Sequence, residues 1–330
     1  MSFAQPPLIY NQHGSIRHVG VELEYTHVEP LMVVRDIQKL WGGRHHEVNS
    51  HVHKIKDTEL GDFTVELDSI LLSSGKYTEF LQKMGVDGDT LILGDDLEAL
   101  LANVASVLVP YELVTPPLPM DQLHHAETLR ECLRQRGALG TRSAWRFAFG
   151  LHFNPEVPSF EVPSILAHLQ AFCVLYPWIF RESAIDYTRR ISPYIDEFPA
   201  EYLKLILQPE YAPDMGQLIE HYLEHNPTRN RPLDMLPLFS HIAPDLVDRY
   251  PIESELNKSR PTFHYRLPNS LVDEEDWRIA HPWRYWVEVE KLAANSHVLH
   301  AMSQELLELL HSPLSIISWQ WPGKVEGWLQ

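Results

Sequence analysis

The first clear pattern along the chain is an alternation in which Gly20, Glu22 and Glu24 take one set of positions and Val21 and Leu23 the other. Side chains along an extended segment point to opposite faces in turn, so this stretch predicts a strand with one apolar face and one carboxylate face. From Val28 to Trp41 the period becomes helical, with Leu31, Val34, Ile37 and Leu40 on one stripe and Gly42 and Gly43 as the stop. His46 to Ile55 reads as extended and a turn falls at Thr58 to Gly61. Asp62 to Ser69 then alternates strictly, with Asp62, Thr64, Glu66 and Asp68 opposite Phe63, Val65 and Leu67. These two strands form a predicted hairpin.

A helix is expected over Asp95 to Val109. A strand follows over Tyr111 to Thr115, ended by Pro116 and Pro117, then a helix capped by Asp121 and running to about Arg136. Arg146 to Asn154 is extended again. Beyond Pro163 helices dominate, over Ser164 to Ala184, Met215 to Glu224 and Asp276 to Leu310, with a single strand at Thr262 to Leu267 between the last two. The acidic run Asp273 to Asp276 reads as a solvated helix start favoured by the helix dipole.

The polar sides of these strands carry one kind of chemistry. Glu22 and Glu24, Asp62, Glu66 and Asp68, Glu112, His152 and Asn154, and His264 and Arg266 each lie opposite an apolar residue set. Two carboxylates two residues apart on a strand lie only ~7 Å from each other, and burying them unpaired costs several kcal/mol per charge. Any one strand of this kind is most simply half exposed. Five of them, with few Lys or Arg to offset like charges across the sheet, point instead to a basin holding a hard cation. Glu and Asp oxygens suit Mg²⁺ or Mn²⁺, an occasional His nitrogen is tolerated, and an Arg beside them suits a nucleotide phosphate.

Composition narrows the partners. A chain of 330 residues that is 44% hydrophobic can bury a substantial core, and a formal net charge of −18 argues against a nucleic-acid partner. There is no apolar N-terminal signal region and no continuous membrane-spanning run, and Cys132 and Cys173 are too few for a disulfide framework. A cytoplasmic protein without a membrane partner is expected. Both cysteines sit in apolar, helix-like surroundings and read as small hydrophobes. His51 and His53, with His45 and His46 nearby, have a strand spacing that suits zinc or nickel given a third ligand. With 19 histidines in the chain and no Cys beside them, a surface or substrate-contacting strand is the favoured reading.

At these residues the chain resembles the carboxylate-amine ligases built on the glutamine synthetase fold, in particular the bacterial amidoligase family. Gly20, Glu22 and Glu24 match its first-strand Gly-x-Glu-x-Glu pattern, and Gly150, Leu151 and His152 match a later Gly-aliphatic-His strand. Thr262 to Asn269 lies where the family has Arg-x-Glu-x-Arg followed by an aromatic or aliphatic residue, Pro, and Asp or Asn. The chain departs there: His264 stands at the glutamate position and Thr262 at the first arginine, with Arg260 two residues earlier. Phe63 to Asp68 and Tyr111 to Pro117 are the best matches to two further acidic strands.

The resemblance implies an α+β fold with a mainly antiparallel sheet, helices on one face and a metal and ATP site on the other. It implies one domain over 1–330, with a helix-rich part at about 159–258 inserted before the last sheet strand. It further implies ATP and Mg²⁺ (or Mn²⁺), bound by a metal shell drawn from Glu22, Glu24, Glu66, Glu112, His152 and His264. Arg266 is the candidate phosphate clamp, joined by Arg260 and by Arg229 or Arg231 from a proline-bounded loop. Glu112 or Asp68 is the candidate base for the amine proton. The expected activity is ATP-dependent joining of an amino-acid or peptide carboxylate to an amine through an acyl phosphate, and homo-oligomerisation is left open. Two alternatives stand beside it: a Mg-ATP-binding relative without ligase activity, motivated by His264 and Thr262, and a metal-dependent amide hydrolase.

Overall fold

The computed structural model describes residues 2–67, 111–142, 150–184, 195–252, 258–310 and 314–329. Its nine strands are β1 (His18–Tyr25), β2 (Arg44–Asn49), β3 (Val52–Thr58), β4 (Gly61–Leu67), β5 (Tyr111–Val114), β6 (Leu118–Pro119), β7 (Leu151–Pro155), β8 (Leu233–Asp234) and β9 (His264–Tyr265). They form one sheet in the order β2-β3-β4-β5-β1-β7-β9-β8, with β6 pairing the start of β1, and every pair is antiparallel. The helices are α1 (Pro30–Trp41), α2 (His124–Gln135), α3 (Val162–Glu182), α4 (Ala200–Ile206), α5 (Met215–His225), α6 (Leu236–Ile242), α7 (Pro244–Val247), α8 (Ala280–Ala293), α9 (Ser296–Leu309) and α10 (Leu314–Leu329). The fold is mixed α+β with a mainly antiparallel sheet.

The apolar face of the sheet is where the core forms. Val21, Leu23, Val65, Leu113, Leu151, Phe153 and Tyr265 are fully buried on it. Trp41 of α1 stacks on Phe63 at 5.5 Å, Trp283 and Trp286 of α8 lie 5.3 and 5.6 Å from Phe153 and Tyr265, and Phe172 of α3 meets Tyr265 at 5.7 Å. α3 is long and apolar enough to cross a membrane by length and composition alone. Here eleven of its residues are buried, as befits a helix that is apolar nearly all round and central to a core.

Several expectations are corrected. α1 starts at Pro30, because Glu29 precedes a proline and is held extended, and its buried stripe is Val33, Val34, Ile37 and Trp41, with Leu31 and Leu40 outside. The extended stretch expected at 46–55 is two strands joined by a tight turn, in which the Asn49 side chain accepts from His51 N at 2.8 Å. The expected hairpin is therefore a three-strand meander, and His51 and His53 do not share a strand face. α2 begins at His124 instead of at an Asp121 cap, because Asp121 falls in a short 3₁₀ turn over Met120–Gln122. The helix expected from Asp276 to Leu310 is two helices: α8 begins after the acidic run, and Asn295 accepts from Val298 N at 3.2 Å to start α9. The last strand is only two residues long, flanked by isolated bridges at Thr262 and Asn269. α4, α6, α7 and α10 were not anticipated. The helix expected over 95–109, Asp68 and the extended stretch before Gly150 lie outside the described residues.

One tight approach braces β1 from its end. Ser270 Oγ donates to Glu24 O at 2.7 Å, and Thr141 N donates to Ser270 O at 2.8 Å, which brings Gly140 so close that a Cβ there would sit 2.2 Å from Ser270 O. Backbone cannot yield as a flexible side chain would. Gly140→Ala is expected to lower stability by about 1–3 kcal/mol, seen as a lower urea midpoint at unchanged slope.

Candidate functional site

Strand register turns the polar faces into a two-dimensional array. Glu66 pairs with Glu112 and Glu112 with Glu24, so three carboxylates stand in a row across β4, β5 and β1. One step along β1, Glu22 pairs with His152, and Gly20 pairs with Asn154. The Phe153–Tyr265 pair then sets Asn154 opposite His264 and His152 opposite Arg266, and Asp234 of β8 pairs with His264. Directly paired residues share a face, so all of these side chains lie on the side away from the core helices. Gly20 has no side chain to obstruct this face, and a Cβ there would touch Asn154.

His152 stands at the centre. Its Nδ1 lies 2.9 Å from Glu22 Oε2, and its Nε2 is 3.5 Å from Glu24 Oε1. Glu22 Oε1 accepts from Asn154 Nδ2 at 2.8 Å and lies 3.1 Å from an Arg260 guanidinium nitrogen. Burial opposes ionisation of Glu22, but Arg260 and the hydrogen bond from His152 lead the opposing causes and hold the carboxyl well below the usual carboxylate range. Glu24 Oε2 accepts from Gly150 N at 2.6 Å. At the far end of the acidic row the Lys258 ammonium reaches Glu66 Oε1 at 3.1 Å.

The other side of the array is basic. Arg266 donates to the Arg229 carbonyl, Arg229 Nε lies 3.9 Å from the fully buried Asp234, and His264 Nδ1 lies 2.8 Å from Asn154 Oδ1 and 3.0 Å from an Arg260 nitrogen. Burial, aided by Arg260, pushes the His264 imidazole well below its ordinary range, so it stands neutral. Burial likewise lowers Arg229 and raises Asp234, the latter against the pull of Arg229. Arg229 Nε, Arg260 Nε and Asp234 Oδ2 are buried without hydrogen-bond partners among the described residues. Buried guanidinium donors of this kind suit an anion.

Glu22, Glu24, Glu66, Glu112, His152, His264, Arg260 and Arg266 thus come together on one face, and Arg229 borders them through Asp234. Arg231 turns away, donating to Glu197 O and to His225 O at 3.3 Å and packing over the Phe198 ring. Asp62 is exposed at the start of β4, where it accepts from Asp57 N. His53 is buried on the opposite face, 3.1 Å from His45, and shares a hydrogen bond with it. Lys258 and Asp234 escaped the reading of the sequence. Asp234 had a signal, as one acid inside an apolar run, since such a residue is buried only with partners.

Two groups of side chains bring ligand atoms within 4.8 Å of one another: Glu24, Glu112 and His152, and Glu22, His152 and His264. Oxygen-rich sets with one imidazole nitrogen fit Mg²⁺ or Mn²⁺. A cavity of roughly 440 Å³ opens by Asn269, which pairs with Gly150, and is walled by Arg142, Trp277, Arg284 and Tyr285.

The antiparallel sheet backs its core with helices and lines its other face with carboxylates, imidazoles and arginines. The family described as "Putative amidoligase enzyme" matches residues 15–288, a span that includes every residue of the array, and the chain belongs to that family. No curated protein and no solved structure matches the chain.

Proposed function

We propose that this protein is an ATP-dependent amidoligase that joins an amino-acid, peptide or related carboxylate to an amine, on a sheet of the glutamine synthetase type. The observation that carries this reading is the contact of an acidic row with an arginine cluster on one sheet face. A ligase must hold both a polyphosphate and its counter-cations at one place.

Glu24, Glu112, His152, Glu22 and Glu66 are the residues to hold Mg²⁺ or Mn²⁺. When bound, the cation neutralises phosphate charge as the γ-phosphoryl group moves. Arg266, Arg260 and Arg229 would supply the positive charge that stabilises that group in transit. The substrate carboxylate oxygen bonds to the γ-phosphorus while the bond to ADP breaks. The amine then attacks the acyl carbon, inorganic phosphate leaves, and a carboxylate of this face that does not hold the cation accepts the amine proton. The cavity beside Asn269 offers space for one of the two organic substrates, and a reducing cytoplasm is the proposed setting.

The test is trapping. Incubated with ATP, Mg²⁺, hydroxylamine and a panel of amino-acid and peptide carboxylates, the protein is expected to release ADP and form a hydroxamate that needs both ATP and Mg²⁺. Tight Mg-ATP binding with no hydroxamate across the panel would replace this reading with that of a nucleotide-binding relative, the alternative favoured by Arg260 standing between Glu22 and His264.

A further inference from the structure

The two candidate cation positions differ in what already stands at them. Across the group formed by Glu22, His152 and His264 lies Arg260, with one terminal nitrogen 3.1 Å from Glu22 Oε1 and the other 3.0 Å from His264 Nδ1. A planar guanidinium that touches two of three ligands fills the gap an ion would take, and a divalent cation pressed in beside it would meet a like charge at ~4 Å. The main chain at Arg260 is fixed by its backbone N, which donates to Pro237 O at 3.1 Å.

Glu22 is correspondingly engaged. Oε1 faces Asn154 Nδ2 and Arg260, and Oε2 faces His152 Nδ1. With Nδ1 of His152 donating to that carboxylate, Nε2 is turned toward Glu24, 3.5 Å from its Oε1. A carboxylate that fixes the tautomer of an imidazole and presents its other nitrogen is how metal-binding histidines are oriented. His264 is held from two sides: its Nδ1 lies 2.8 Å from Asn154 Oδ1 and 3.0 Å from the Arg260 nitrogen.

We infer that this chain holds one divalent cation of its own, at Glu24, Glu112 and His152, and that the Arg260 guanidinium takes the place of a second between Glu22 and His264. The inference rests on the metal-dependent reading above and divides its residues: Glu24, Glu112 and His152 bind the ion, and Glu22 is a positioning residue that acts through His152.

Counting Mn²⁺ on the purified full chain without nucleotide, by equilibrium dialysis and electron paramagnetic resonance, tests it directly. One ion per chain is expected in the wild type and in Arg260→Lys, which keeps a cation in place. Arg260→Ala is expected to raise the count to two, and Arg260→Gln carries the same test if circular dichroism shows the alanine variant unfolded. Two ions in the wild type, none, or a folded Arg260→Ala that still holds one would each overturn the inference. Two ions in the wild type would leave the ligase reading standing, because hydroxamate trapping judges that reading without reference to metal count.

Discussion

Glu24→Gln is expected to lower Mg²⁺-dependent ADP release by at least about 10³-fold, equivalent to ~4 kcal/mol of lost transition-state stabilisation, with folding intact. The carboxylate is pinned from both ends. Its backbone N donates to Gly150 O at 3.1 Å, its carbonyl accepts from Ser270 Oγ, and its side-chain oxygen accepts from Gly150 N. A glutamine of the same shape cannot swing aside to admit a compensating ligand, yet it brings an NH₂ group where a cation needs an oxygen lone pair. Stability should hold or rise, because Glu24 stands in register with Glu112, itself in register with Glu66, and removing one of three aligned negative charges relieves repulsion. Activity and urea unfolding measured on the same preparation therefore separate the roles. Turnover within tenfold of wild type would remove Glu24 from the metal shell, whereas a drop in unfolding midpoint of similar size to the activity loss would mark it as structural.

How the residues of this site could be read in advance follows from the period of the strands. Alternation placed Glu22, Glu24, Glu66, Glu112 and His152 on polar faces before any pairing was known, because one residue's side is fixed by its neighbours. Pairing itself was not legible. That Glu24 meets Glu112 and Asp234 meets His264 depends on register and strand order, which join residues as far apart as Val19 and Pro155 and leave no local mark. Arg229 and Arg231 show the same limit at short range: both occupy one proline-bounded loop, and only tertiary partners send one toward Asp234 and the other to the carbonyls of Glu197 and His225. The seven-residue helices α4 and α6 are too short for a helical period to emerge. The break between α8 and α9 needed no Pro or Gly, only the Asn295 side chain acting as a cap.

Behind the site, Glu290→Gln is expected to destabilise the protein by about 3–5 kcal/mol while leaving the chemistry of any remaining folded protein unchanged. Arg17, next to the first residue of β1, meets Glu290 of α8 through two bonds of 2.7 and 2.8 Å, with side-chain exposures of 0% and 1%. Trp286 Nε1 donates to the same carboxylate at 2.8 Å, and Arg17 also donates to Glu156 O and Leu8 O. Neutralising one partner strands a buried guanidinium, and that desolvated charge, more than the lost attraction, sets the size of the effect. The double variant Arg17→Met, Glu290→Leu separates the two contributions: removing both charges should recover at least half of the loss, because an apolar pair of similar volume packs into the same space without a stranded ion. Urea titrations of the single and double variants decide it, and a Glu290→Gln protein within about 1 kcal/mol of wild type would mean that Arg17 finds its charge balance elsewhere. Since the pair ties the entry of β1 to the helix beneath the sheet, it holds from behind the strand that presents Glu22 and Glu24 in front.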